Sequence, residues 1–239
     1  MNKKIIFAIT SLMLTGIMAT ASAFENGERS AKLYEDILNT NKQDLHLVVI
    51  QKIDMSEVLN EETYQNLSPA ERVRYNRYEY NETKALCAER QTTFDGNGHV
   101  IKDVNTFAID NKWYSVDYIN KTYDRLPELL GMVKNFRDNF TEYFADSMPE
   151  TGFDDYTGYD FDRRYKADKE VYFYFEKDTD IFKAYEISGY ARYNIMELND
   201  KVDMAKAFAL PPEDFVRQPN EAMRNYATKL IANKSKKKK

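Results

Sequence analysis

Short runs with a period of two, separated by tight turns, constrain this chain more than any other feature. Thr83 to Phe94 has strand character and stops at Asp95-Gly96-Asn97-Gly98, where Asn and Gly tolerate positive φ. His99 to Ile109 continues the pattern and Asp110-Asn111-Lys112 turns again. Trp113 to Tyr118 and Thr122 to Leu126 follow, joined by Ile119-Asn120-Lys121. Tight turns join only antiparallel neighbours, so these runs predict a meander.

A second meander is expected downstream. Val171 to Phe175 is apolar on both faces, which predicts a strand covered on both sides. Ile181 to Ile187, Ala191 to Leu198 and Val202 to Phe208 read as further strands, and Pro211-Pro212 closes the sheet because proline cannot donate to a ladder. Leu45, Leu47 and Val49 alternate with His46, Val48 and Ile50 in one more strand. The stretch 150–168, rich in Asp, Gly and Tyr, reads as a solvated loop between the meanders. Its carboxylates lack the spacing of a calcium loop.

Helical spacing appears in four places. Ala31, Leu33, Tyr34, Ile37 and Leu38 share one helical face. Ser68-Pro69-Ala70-Glu71 is a capping box that predicts a helix running to about Tyr80, with Arg72, Arg74 and Arg77 on or near its wet side. Pro127 opens the strongest stripe, with Leu129, Val133, Phe136, Phe140, Tyr143 and Phe144 at steps of three and four. A last helix is expected from Glu221 to Ile231. The segment 56–66 gives a weak signal, loop or irregular helix. Together these elements predict a single α+β domain over 24–228, with no repeat and no linker.

The two ends are different in kind. Lys3 and Lys4, the apolar run from Ile5 to Ala19 and Ala21-Ser22-Ala23 form the pattern of a signal peptide, cleaved after Ala23. The mature chain is therefore expected to be periplasmic or secreted, and soluble. Residues 229–239 form a basic tail, expected to be disordered by self-repulsion and to offer a weak contact to anionic membrane surfaces. Eight of the 34 cations lie in these two ends, which leaves 26 against 39 acids and a charge of −13 on the body. A body that acidic repels nucleic acid at long range.

Catalytic patterns are missing from the sequence. His46 and His99 cannot supply a three-histidine zinc site, and there is no nucleophile elbow or phosphate-binding glycine loop. Cys87, the only cysteine, sits in Lys84-Ala-Leu-Cys87-Ala and reads as a small buried hydrophobe. No internal disulfide can form in the exported chain. No catalytic residue, metal ligand or cofactor is assigned.

The hairpin Asn105-Thr-Phe-Ala-Ile-Asp110-Asn-Lys-Trp-Tyr-Ser-Val-Asp117-Tyr-Ile-Asn120-Lys-Thr-Tyr-Asp-Arg-Leu-Pro127, and the segments Lys201-Val-Asp203 and Phe208-Ala-Leu-Pro211-Pro-Glu-Asp-Phe215, resemble the hairpins and closing strand of the LolA-like, LppX-like lipoprotein carriers of bacterial envelopes. That resemblance implies a half-barrel, a curved antiparallel sheet wrapping over a few helices and holding acyl chains in its concave space. Alternation along the strands then gives the apolar candidate sets for its lining, without fixing which set faces inward: Phe107 and Ile109, Tyr114, Val116 and Tyr118, and Val171, Phe173 and Phe175. The function expected is a non-enzymatic envelope protein that binds a lipid or other apolar ligand, such as a lipoprotein acyl chain. The alternatives are a structural or protein-interaction module with a filled core, and an acidic-site hydrolase.

Overall fold

Alternation at Leu45, Leu47 and Val49 builds β1 (Leu45–Asp54), and this strand is the hub of the fold. The computed structural model describes residues 24–39, 43–127, 136–166, 169–188, 192–219, 221 and 224–225. From β1 the chain meanders through β2 (Val73–Glu82), β3 (Cys87–Asp95), β4 (Val100–Ile109), β5 (Lys112–Asp117) and β6 (Thr122–Pro127). The second run comprises β7 (Met148–Asp154), β8 (Tyr159–Lys166), β9 (Lys169–Phe175), β10 (Phe182–Ile187) and β11 (Arg192–Asn199). β11 returns to pair antiparallel with β1, His46 opposite Asn199, so the two meanders fuse into one sheet. A two-residue strand, β12 (Val216–Arg217), lies parallel along β6 and makes the sheet mixed. The result is a large, open, curved sheet of twelve strands with few helices.

Short α-helices decorate it, among them α1 (Glu28–Leu33), α2 (Glu61–Gln65), α3 (Phe136–Thr141) and α4 (Met204–Ala207). A π-helical turn, Tyr34–Leu38, continues α1, and a 3-10 turn, Met55–Glu57, precedes α2. Among the described residues no helix is long and apolar enough to cross a membrane.

Side chains of directly paired residues share a face, so register assigns each residue to one side of the sheet. The front face carries Leu45, Leu47 and Val49 of β1, Tyr78 and Tyr80 of β2, Val171, Phe173 and Phe175 of β9 and Tyr185 of β10. Leu33, Leu38, Phe136 and Tyr143 cover these residues and close a core. The back face carries Ala88 of β3, Phe107 of β4, Tyr114 and Val116 of β5 and Tyr123 of β6. There the cover is Ala207 and Phe208, at the end of α4, with Phe215 beyond. One sheet thus has two cores, on opposite faces.

Four expectations from the sequence need correction. The capping box forms, with Glu71 Oε2 accepting from both the Ser68 N–H and its hydroxyl, but it caps only a turn. The alternation of Val73, Tyr75 and Arg77 with Tyr78 and Tyr80 then wins, because β2 finds a partner strand on each side, so Arg72, Arg74 and Arg77 mark no helical face. The stretch 150–168 is not a loop but the β7–β8 hairpin, turned by Asp154, whose side chain accepts from the Tyr156 and Thr157 N–H groups, and by Gly158 at φ 72°. Val202 to Phe208 is not a closing strand: Asp203 caps α4 by accepting from the Lys206 N–H. Pro127 ends a strand instead of starting a helix. Residues 128–135, with Leu129 and Val133 of the expected stripe, lie outside the described residues, as do the expected signal segment 1–23, most of the segment expected to form the last helix and residues 229–239.

Candidate functional site

The eight candidate lining residues fall into two clusters on opposite faces of the sheet. Phe107, Tyr114 and Val116 are buried on the back face, with Ile109 and Tyr118 packed at the margin of their cluster. Val171, Phe173 and Phe175 are buried on the front face. Both sets are filled. Phe107 stacks on Tyr114 with ring centroids 5.2 Å apart and meets Phe208 edge-on at 6.1 Å. Phe173 touches Phe144 at 5.7 Å and Phe182 at 5.9 Å. Contacts at these distances are those of a close-packed interior.

The front core contains polar groups that hydrophobic patterning does not reveal. Glu82 continues the front-face series Tyr78, Tyr80 and is 1% exposed. Its Oε1 accepts from the Phe136 N–H, and its Oε2 lies 4.0 Å from Arg137 Nε. That oxygen has no hydrogen-bond partner among the described residues. Arg137 donates to the carbonyls of Ile37 (3.1 and 2.9 Å) and Gln43 (2.6 Å), which ties α3 to the π-helical turn and to the entry of β1. Burial raises the Glu82 carboxyl to about 7, against the opposing pull of the Phe136 N–H and Arg137. This is a proton-holding group near neutral pH, but it is closed off from solvent and cannot reach a substrate.

A second polar network docks the start of the described chain. Arg164 of β8 donates to Ser30 Oγ (2.7 Å) and to the Gly27 carbonyl (2.8 Å), while buried Asp162 accepts from the Ser30 N–H at 2.7 Å. Arg29 pairs with Asp160 at 2.9 Å and lies over the rings of Phe24 and Phe175. Gly27 is required here: φ is 73° and a Cβ would stand 2.4 Å from Pro149 Cβ.

Among the described residues Cys87 and the two histidines stand apart. Cys87 is half-buried and projects to the front, since it pairs with Glu82. His46, bonded to Asn81 through Nδ1 at 2.7 Å, projects to the back, and His99 sits with Asp95 in the β3–β4 turn, at the far end of β3. Among the described residues no three His, Cys, Asp or Glu side chains gather in a geometry that could hold a metal ion.

The back of β7–β11 is sealed by its own long side chains. Phe161, Tyr172 and Tyr174 stand side by side, and Gly152 leaves the space that the Phe161 ring fills. Arg163 lies over Tyr172 (5.8 Å) and Arg192 over Tyr174 (4.3 Å), with Arg192 also paired to Asp154 (3.3 Å) and Glu186 (3.0 Å). Ring faces already occupied by guanidinium groups offer no stacking platform to a ligand.

No protein-family model matches the sequence, and no curated protein does. Among solved structures, an uncharacterised conserved protein from Thermus thermophilus is similar at 8% identity and a TM-score of 0.39, over 80% of this chain and 98% of its own. Two crystal forms of PNGF-II give TM-scores of 0.28 and 0.29 at 8% and 9% identity, over 77% of this chain. The chain spans about a third of PNGF-II, 32% and 33% in the two forms. Likenesses at these scores carry no argument about fold or activity.

Proposed function

We propose that this is an exported, non-enzymatic protein of the bacterial envelope that acts through its surface, as an interaction module with filled cores. The supporting observation is the division of Phe107, Tyr114 and Val116 from Val171, Phe173 and Phe175 between opposite, packed faces. An acyl-chain carrier of the half-barrel type needs one continuous apolar space on one face. In this reading the front is the side around which the sheet curves, and α1, the π-helical turn and α3 occupy the space that a carrier leaves for its ligand. Export rests on Lys3, Lys4, the apolar run and Ala21-Ser22-Ala23. The test is native mass spectrometry of protein purified from its own envelope, with a fluorescent fatty acid titrated into the same sample. The expected species begins at Phe24, has no lipid adduct and gives no saturable probe binding. A co-purifying lipid, displaced by the probe and lost in Val116→Trp or Phe173→Trp while the fold survives, would restore the carrier reading.

A further inference from the structure

The open end of the β5–β6 hairpin departs from the charge of the rest of the body. Asp110 and Asn111, at φ 53° and 57°, make the two-residue turn from β4 into β5. This turn, the ladder pair Lys112–Pro127 and the outer edge of β6 border a cleft of about 350 Å³. Its lining is Asn111, Lys112, Arg125, Leu126 and Arg217. Three of those five residues are cations, and the body as a whole carries −13.

Strand register sets two of these cations on one face. Arg125 pairs with Tyr114, and Lys112 is two residues away from Tyr114 on the same strand, so both side chains leave the back of the sheet as diagonal neighbours. Neither forms an ion pair with a described residue, whereas Arg29, Arg77, Arg90, Arg163 and Arg192 all do. Arg217 enters from β12 and is fixed in place: its Nη2 donates to the Arg125 carbonyl at 2.8 Å and its Nε lies 3.6 Å from Asp124 Oδ1. Asp124 is 2% exposed and also takes Arg224 at 3.1 Å, so its charge is already engaged on the front. Arg217 is partly neutralised by Asp124, but Lys112 and Arg125 carry uncompensated like charges beside it, and these repel each other unless an anion joins them. A guanidinium fork and an ammonium group match the tetrahedral oxygens of a phosphate.

We propose that this cleft binds a phosphate group, with Arg125 and Lys112 as its ligands and Arg217 as the fixed third cation. The group can come as free phosphate or as the headgroup of an anionic phospholipid. The site is independent of whether the cores are filled, so its failure leaves the interaction-module reading untouched.

The experiment uses the full mature chain and the exposed-residue variant Lys112→Gln/Arg125→Gln. Inorganic phosphate is titrated against chloride at equal ionic strength, read by backbone amide shifts of Asn111, Lys112 and Arg125. Saturable shifts are expected in the wild type, with affinity lowered about tenfold or more in the variant, as the loss of charged hydrogen bonds implies. Retention on phosphatidylglycerol–phosphatidylcholine vesicles then separates the sources. Retention that falls with the variant assigns the site to a lipid headgroup, and phosphate binding without cleft-dependent retention assigns it to a free phosphate group. Two results overturn the proposal. One is no saturable phosphate binding together with no cleft-dependent retention. The other is binding that persists in the variant and disappears only when residues 234–239 are deleted.

Discussion

The front and back cores solve the same problem with different materials. The front core gathers residues from β1, β2, β9, β10 and β11 under α1 and α3, and it admits Glu82, Arg137, Asp162 and Arg164 into its interior or border. The back core is smaller, spans β3 to β6 and is closed by the four residues of α4 and the segment to Phe215. Its polar tie is spare: Asn105 Nδ2 donates to the Ala207 carbonyl at 3.0 Å, and Lys206 reaches Glu79 at 3.2 Å. A cover of helices anchored by buried charges can respond to pH. A cover held by rings, one capped turn and the Lys206–Glu79 pair responds only at lower pH. What the two share is the ladder between them, since β1, β2 and β3 run unbroken from one core to the other.

The largest expected effects test that shared ladder. Phe173→Ala and Phe107→Ala each remove a ring that is 1% or less exposed, and each should cost about 3–5 kcal/mol. Both should lower one common calorimetric transition. Two separated transitions, one per substitution, would mean that the cores unfold independently.

Near neutral pH the front core is the one that should move. The folded value of Glu82, about 7, lies above its ordinary 4.5, so between those values the folded chain holds a proton that the unfolded chain has lost. Stability is therefore highest below about pH 4.5 as far as this group is concerned, and falls as pH rises through about 7, by about 3 kcal/mol in all. Glu82→Gln should flatten chemical-denaturation stability between pH 5 and 8, an interval set by this group's titration. Glu79 on the back contributes with the opposite sign at lower pH. Burial alone would raise it, but Arg77 and Lys206 hold it at about 2, so its stabilisation is present above about 4.5 and lost as pH falls toward 2. An unaltered pH profile in Glu82→Gln would remove the distinction between the cores.

Smaller effects sharpen the back side. Asp203→Ala deletes the cap of α4 and should cost about 1 kcal/mol, with faster amide exchange at Ala207 and Phe208 and no change at Leu33. Deleting residues 234–239 should leave the melting temperature unchanged, since a run of mutually repelling lysines contributes little to folding. A loss of stability would place the tail in one of the two covers.

How much of this the sequence shows depends on whether one residue's neighbours decide its structure. The turns at Gly96–Gly98 and Asp110–Asn111, and the strands between them, are legible because tight-turn chemistry is local. The capping box at Ser68 forms as the sequence implies, yet the helix it predicts does not, because a cap fixes three residues and sheet pairing fixes the next ten. Asp203 carries a similar signal, masked by the apolar residues on either side of it. For the site, alternation does identify the buried residues, but it fixes the face only within a strand. Whether Val116 and Phe173 share a face depends on register carried through β4, β3, β2, β1, β11 and β10, which no local pattern encodes. Lys112, Arg125 and Arg217 converge only because β12 runs along β6, a pairing two residues long.

The return of β11 to β1 also sets a timetable. His46 and Asn199 are about 150 residues apart in sequence, a separation that makes their pairing slow. The β2–β6 meander can form while the chain is still emerging, but the front core cannot close until β9, β10 and β11 have all arrived. The seam that joins the two meanders lies beside β1, so the sheet becomes continuous there only once β11 has been made.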